Sequence, residues 1–476
     1  MSAKGIKASS RKGIVYDFNY MMSEFVGKEH GVTKAELDAL APRAKKIHAE
    51  LSEKRRSGAL AFFDLPYQDT SKIKALAREI ADSFDNFVVL GIGGSSLGPA
   101  ALHTALRRPF HNMLTKKARS GRPRIFFPDN VDPVLITDLL SSLDLERTAF
   151  DVVTKSGGTS ETMANFMIAR GAVIDALGKG ALKDRFVAVT DPQNGNLRKI
   201  LEREKYRSLE VPPGVGGRFS VFTPVGLLPA AVSGIDIDEL LAGAAEMDKR
   251  TSNAGIFDNP AYMAAALQYI ADTKKGKHIS VMMSYSHGLK DVADWYRQLW
   301  AESLGKRLDV NGKVVMTGQT PVKAVGATDQ HSQVQLYVEG PADKTFTFLR
   351  VEKFGADAKI PKAFKEMDGL AYLGGKSLSE LINAEQSATE IALMKAGRPS
   401  VRITLPELSA YTVGQLLYLL EVQTAFAGGL YNVNPFDQPG VEEGKRLTYA
   451  MMGRPGFEDI KRELDNIRKK EDGYIL

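Results

Sequence analysis

The sequence predicts an α/β fold class: two doubly wound parallel-sheet domains with helical N- and C-terminal arms. Three observations predict it. The chain has 476 residues, too many for one ordinary hydrophobic core. Short apolar runs alternate with helical segments through its middle, the pattern of a parallel sheet covered on both faces. The alternation then starts again near Gly234, so the two halves look architecturally alike.

Taken in order, the first stretch reads as a helical arm over residues 1–60. Thr33 and Glu36 form a capping box before ELDALAPRAKKIHAELSEKRR, a charged amphipathic pattern that Pro42 is expected to interrupt. A first domain follows over 61–234. In it SKIKALAREIADSF reads as helix and NFVVLG as a buried strand, and RIFFPD, FDVVTK and RFVAVTD repeat the strand signal. A second domain spans 235–430. Its helices are IDELLAGAAEMDKR, PAYMAAALQYIADTKKGK and DVADWYRQLWAESLGK; HISVMMSYS, QVQLYVEG, TFTFLRVE and SVRITLP read as strands. SLSELINAEQSATEIALMKAG and VGQLLYLLEVQTAFAGG read as amphipathic helices, and a Lys-, Glu- and Asp-rich helical arm over 431–476 ends the sequence.

Composition narrows the function. Hydrophobic residues make up 43% and charged residues 25%, values of an ordinary globular protein. The net charge of +6 is spread along the chain, which favours small anions slightly and does not amount to a nucleic-acid footprint. With no cysteine, disulfides, thiolate catalysis and Cys-ligated metals are excluded. The basic start MSAKGIKASSRKG lacks the apolar core of a secretory signal, and no run is long enough to span a bilayer. A soluble, cytoplasmic protein with no membrane partner is expected.

Two loops have the composition for anion binding. Gly91–Gly98 is dense in glycine and carries Ser95 and Ser96; Lys155–Thr162 reads KSGGTSET. Glycines let backbone N–H groups approach an anion, and a following helix N-terminus adds its dipole. The same composition also suits plain turns and N-caps. No GK[ST] follows either loop, and Ser96 stands where a dinucleotide fingerprint needs its third glycine, so nucleotide binding is disfavoured. Glu302 sits about 100° around its helix from the stripe Leu289, Val292, Tyr296 and Leu299, where periodicity makes it a solvated carboxylate; Gln298 lies one turn earlier on its face. Arg218 follows two glycines that would let it enter a crevice or form a loop salt bridge. His331 stands in the polar run GATDQHS and reads by itself as a surface histidine. Lys445 reads as a helix-surface lysine paired with Glu442. The seven histidines are scattered, with no metal-ligand spacing.

GIGGSSLGP, KSGGTSET, GVGGRFS, ESLGK, GATDQHS and FDQPGVEEGK, in this order and at compatible separations, resemble the phosphoglucose isomerase family over nearly the whole chain. GATDQHS places the resemblance nearest the bacterial branch. The resemblance implies two sugar-isomerase (SIS-type) domains and reversible isomerisation of glucose 6-phosphate and fructose 6-phosphate through a cis-enediol, in glycolysis and gluconeogenesis, without cofactor or metal. It makes Glu302 the base between C1 and C2, Arg218 the stabiliser of the enediolate, and His331 and Lys445 the pair assisting ring opening. It assigns the phosphate to Lys155, Ser156, Thr159 and Thr162, the sugar side to Gly94 and Ser95, and sugar or phosphate oxygens to Gln298 and Gln438. It brings His331 from a neighbouring subunit, implying a homodimer. The loop has Gly157, Gly158, Thr159 and Ser160 where relatives more often carry additional threonines; Ser160 can replace a hydroxyl and Gly158 cannot, and phosphate affinity is the property this touches.

Overall fold

A computed structural model of the chain describes residues 13–467 and 470–476. The basic N-terminal stretch and the start of the expected first arm lie outside the described residues. Twelve strands are named here in chain order: β1 (Val15–Asp17), β2 (Asn86–Leu90), β3 (Arg124–Phe126), β4 (Thr148–Val153), β5 (Phe186–Thr190), β6 (Arg207–Glu210), β7 (Ile279–Ser284), β8 (Lys306–Leu308), β9 (Val314–Thr317), β10 (Thr320–Val325), β11 (Lys344–Lys353) and β12 (Ser400–Glu407).

One sheet runs β3-β2-β4-β5-β6, parallel throughout. Its inner strands β2, β4 and β5 are buried at every position, as a sheet covered on both faces requires. The chain steps from β2 out to β3, then crosses back to β4 on the other side. That reversal leaves a crevice beyond the carboxyl ends of β2 and β4, where doubly wound sheets take their ligands. The loops Gly91–Gly98 and Lys155–Thr162 follow those two strands. The second sheet runs β1-β12-β11-β7-β10. Without β1, its order repeats the first four strands of the other sheet, with the same reversal between β7 and β11.

The structure departs from the expected elements in five places. The first arm is not wholly helical: β1 pairs antiparallel with edge strand β12, with Tyr16 opposite Ile403. The helix Lys34–Arg56, capped by the Thr33–Glu36 box, continues through Pro42, since Leu37, Leu40, Ala44 and Ile47 bury a face on either side of it. QVQLYVEG is not a strand: Val334–Glu339 is a short helix that lays Tyr337 edge-on against Phe346, while Leu336 is exposed. The edge strand β10, which was not among the expected strands, has a half-buried face that gives only a weak alternation. Finally, Ala410–Tyr431 is not amphipathic. It is a central helix buried nearly all round, covered by other helices on several sides.

That central helix packs most extensively on Ile237–Arg250 and Pro260–Lys275. Polar groups buried there are collected around Asp248, which accepts from Arg55 Nη1 and Nη2, Tyr67 Oη and Tyr418 Oη. Burial alone would raise this carboxyl's pKa, but those donors outweigh it and hold the pKa below its ordinary value.

Candidate active site

Arg218 is the best-held side chain of the site. It lies on a single turn, Gly217–Phe219, and is 3% exposed. Its donors are all used: Nε to Ser303 Oγ (2.7 Å), Nη2 to the carbonyls of Pro435 (2.6 Å) and Asp437 (2.9 Å), and Nη1 to Gln438 Oε1 (3.0 Å) and Glu302 Oε2 (3.3 Å). Burial lowers its pKa, and the Glu302 carboxylate pulls the other way. A guanidinium titrates so far above neutrality that it stays charged. Here is a fixed positive charge, orientated before any ligand arrives.

Glu302 faces it from the helix Lys290–Leu304. The apolar stripe of that helix packs inward as expected, and the next residue, Ser303, is fully buried. Glu302 itself is a quarter exposed, at 26%, and also accepts from Gln298 Nε2 at 3.2 Å. One carboxylate oxygen, Oε2, thus meets both donors. Periodicity read this position as a solvated carboxylate; the charge that lines its open side comes from a loop 84 residues away.

The glycines explain how the loops close on this pair. A Cβ on Gly94 would fall 2.2 Å from the Gly217 carbonyl oxygen and 2.8 Å from the Arg218 nitrogen, so only glycine lets the two loops touch. The Gln298 amide nitrogen lies 3.0 Å from where a Cβ on Gly93 would stand. The Gly91–Gly98 loop therefore borders both Arg218 and Gln298, with Ser95 half-buried in the first turn of the helix Gly94–Leu106.

The second loop forms a separate cradle. Thr159 precedes the helix Ser160–Leu177 and caps no backbone N–H; its hydroxyl instead meets Thr154 Oγ1 at 3.2 Å. The Ser156 hydroxyl accepts from the Gly158 N–H, and Thr162 is buried. Lys155 donates to the Val215 carbonyl at 2.9 Å, tying the cradle to the loop that carries Arg218. A Cβ at Gly158 would make only ordinary contacts, 3.8 Å from Ser156 Oγ and 4.0 Å from the Ser156 carbonyl oxygen, so the missing hydroxyl there answers no packing constraint.

Two expected residues are not brought to the carboxylate by this chain. His331 follows the turn Thr328–Gln330 beyond β10; it is exposed, its backbone N–H donates to the Thr328 carbonyl at 3.2 Å, and its imidazole does not meet the Glu302 carboxylate. Lys445 is half-exposed on the helix Glu442–Met451 and pairs with Glu442 Oε1 at 2.7 Å. One turn further on, Tyr449 Oη reaches the Gly158 carbonyl at 3.4 Å, so the helix docks against the cradle. The reading of single residues missed Ser303, Lys306 and the Pro435–Asp437 carbonyls. Lys306 and Asp437 both lie inside quoted motifs, ESLGK and FDQPGVEEGK, so the signal was there without an assigned role.

The two doubly wound sheets, with loops beyond the strand ends where the strand order reverses, define an α/β protein of the class that takes small ligands at those ends. More specifically, the chain belongs to the phosphoglucose isomerase family, whose sequence model matches residues 73–466. It is 47% identical to the glucose-6-phosphate isomerase of Carboxydothermus hydrogenoformans over 463 residues, 97% of this chain and 99% of that protein. The glucose-6-phosphate isomerase of Rubrobacter xylanophilus is also 47% identical, over 90% of this chain and 96% of its own length. Among solved structures, a hypothetical protein of Thermus thermophilus superposes with a TM-score of 0.81 at 36% identity, covering 92% of this chain and 100% of that one. A glucose-6-phosphate isomerase of Chlamydia trachomatis shares the fold, with a TM-score of 0.78 at 24% identity over 96% of this chain and 93% of that one.

Proposed function

We propose that Glu302 and Arg218 carry the reaction of this family in this chain. As a family member, the protein is an aldose–ketose isomerase that reversibly interconverts glucose 6-phosphate and fructose 6-phosphate, a step of glycolysis and gluconeogenesis. Starting from the open-chain ketose, Glu302 takes a proton from C1. The electrons of that C–H bond form the C1–C2 double bond, and those of the carbonyl move onto the oxygen at C2. Arg218 faces this developing negative charge; the hydroxyl proton on O1 passes to O2, and as the electrons left on O1 form the aldose carbonyl, the C1–C2 double bond takes the proton back from Glu302 at C2. Such a proton is poorly acidic in water, and abstraction becomes feasible when base and compensating charge are already in place. The observation that carries this reading is the contact of a buried, fully bonded guanidinium with a partly exposed carboxylate.

The cradle at Ser156, Thr159 and Thr162, with Lys155 behind it, is the proposed phosphate site. Gly94, Ser95, Gln298 and Gln438 border the sugar in the same reading. His331 and Lys445 are proposed to act in ring opening, His331 arriving from a second copy of the chain. Exposed apolar residues support a homodimer: Leu308, Val310, Val314 and Met316 line the β8–β9 hairpin, and Phe364 and Tyr372 stand on the segment before the helix Leu378–Lys395. The division at 60, 234 and 430 is proposed as the domain plan, since one sheet uses strands from 86–210 and the other, β1 apart, from 279–407. No helix among the described residues is long and apolar enough to cross a membrane. Cytoplasmic location is proposed with it, supported by the absence of cysteine. Metal independence is proposed because Arg218 supplies the charge a metal would otherwise bring.

A coupled assay of fructose 6-phosphate conversion tests the activity directly. Turnover unchanged by EDTA is the expected result; loss on chelation would overturn metal independence, and no turnover from a folded dimer would leave only a sugar-phosphate sensor. In the same assay, Ser156→Ala with Thr159→Ala is expected to raise KM about tenfold or more, each lost hydroxyl contact to an anion contributing ~1.5–3 kcal/mol at most, with little change in kcat. An unchanged KM would move the phosphate elsewhere.

A further inference from the structure

Lys306 lies four residues beyond Glu302, at the start of β8, and its side chain is only 5% exposed. A buried ammonium needs partners for three N–H donors. Lys306 Nζ lies 2.7 Å from the main-chain oxygen of Glu302, 2.6 Å from the main-chain oxygen of Asp437, and 3.3 Å from Asp437 Oδ1. The first contact caps an orphan carbonyl in the last turn of the helix that carries the carboxylate. The second shares its acceptor with Arg218 Nη2.

Those contacts close a ring. From the Glu302 carboxylate it passes to Arg218 Nη1, through Nη2 to the Asp437 carbonyl, through Lys306 Nζ to the Glu302 carbonyl, and so back to the residue where it began. Pro435 and Gln438, on the same short segment as Asp437, give Arg218 two more acceptors. We propose that Lys306 is a positioning residue for the isomerisation, holding the 435–438 segment so that Arg218 meets the developing oxyanion in a fixed plane.

The inference rests on the reading of Glu302 and Arg218 as the reacting pair. Its physical basis is that preorganised charge loses most of its effect when it can tilt: misplacement by about 1 Å can cost on the order of 10²-fold in rate. Lys306 does not reach the substrate in this account and has no part in binding phosphate. Its loss should therefore lower kcat and leave KM nearly alone. Burial first, and then the neighbouring Arg218, lower the Lys306 pKa; Asp437 and Glu302, the other charged groups facing it, pull it back up. Deprotonation as pH rises through that lowered pKa removes the charge and the contacts it makes, so kcat should fall on the alkaline side.

The test uses the full-length enzyme. Lys306→Met keeps the volume of the side chain without its charge, a replacement that buried sites tolerate. It is expected to lower kcat about 10- to 100-fold with KM changed less than threefold and the circular-dichroism spectrum retained. Lys306→Cys introduces the one thiol of the chain, which 2-bromoethylamine converts to a lysine analogue with sulfur in place of one methylene. Aminoethylation is expected to restore most of kcat and to move its alkaline limb to lower pH, because sulfur makes the amine less basic. A wild-type kcat in Lys306→Met overturns the proposal, as does an aminoethylated enzyme no more active than the unmodified cysteine variant. Glu302→Gln run alongside separates the two levels: if it still turns over, the reacting pair is wrong, whereas if it is dead and Lys306→Met is fully active, the positioning role alone fails.

Discussion

Glu302→Gln is expected to abolish isomerisation, with kcat reduced on the order of 10³-fold or more, within or above the range typical of a lost general base, while sugar phosphate still binds. The amide is the same size as the carboxylate and retains an oxygen that can accept from Gln298 and Arg218, so the helix Lys290–Leu304 has no reason to shift. What disappears is the basic oxygen. Two measurements check this: calorimetric titration with fructose 6-phosphate, and exchange of the substrate's C1 hydrogen with deuterated water. Binding should persist and exchange should vanish. If the variant binds nothing because it no longer folds, Glu302 is a structural residue; if exchange continues, the base lies elsewhere.

Arg218→Lys is the second large effect. Lysine keeps the charge but offers three donors on a flexible stem, against the five contacts that the guanidinium makes in a fixed plane. The expected loss in kcat is about 10²–10³-fold, the range seen when one preorganised oxyanion donor is removed. Binding of an aldonic acid phosphate, whose planar carboxylate imitates the enediolate, should weaken by more than the substrate KM rises. Stability should fall as well, since carbonyls at Pro435 and Asp437 lose buried donors. Equal weakening of substrate and mimic would show that Arg218 serves binding without favouring the transition state.

Much of this was legible before the fold was known, and what escaped did so for identifiable reasons. Fully buried strands such as NFVVLG and RFVAVTD announce themselves through unbroken apolar runs, and both lie where expected. The edge strands β6 and β10 carry mixed, half-exposed patterns and gave no comparable signal. QVQLYVEG alternates on paper, yet Tyr337 is the residue that packs, which selects a helical turn over an extended chain. At the candidate site, the motifs mark the two loops and the carboxylate helix, because glycines and hydroxyls are local signals. The burial of Arg218 was not local. Its acceptors come from positions 303, 302 and 435–438, and no window along the chain spans that distance. The same holds for Glu302, whose exposed angle on its own helix says nothing about the loop that faces it.

The pairing of β1 with β12 carries a consequence for how the protein is made. Asp17 meets Arg402 across 385 residues of chain. At ribosomal rates of roughly 5–20 residues per second, the segment that closes this sheet waits roughly 20–80 s for its mate to be synthesised. Until then the nascent N-terminus has no strand to join. Once β12 emerges, the outer rim of the second sheet stays open to any extended peptide nearby until residues 15–17 return to it. Closure of that rim is thus among the last events of biogenesis, and shortening the chain at its start would leave a finished enzyme with a permanently adhesive border.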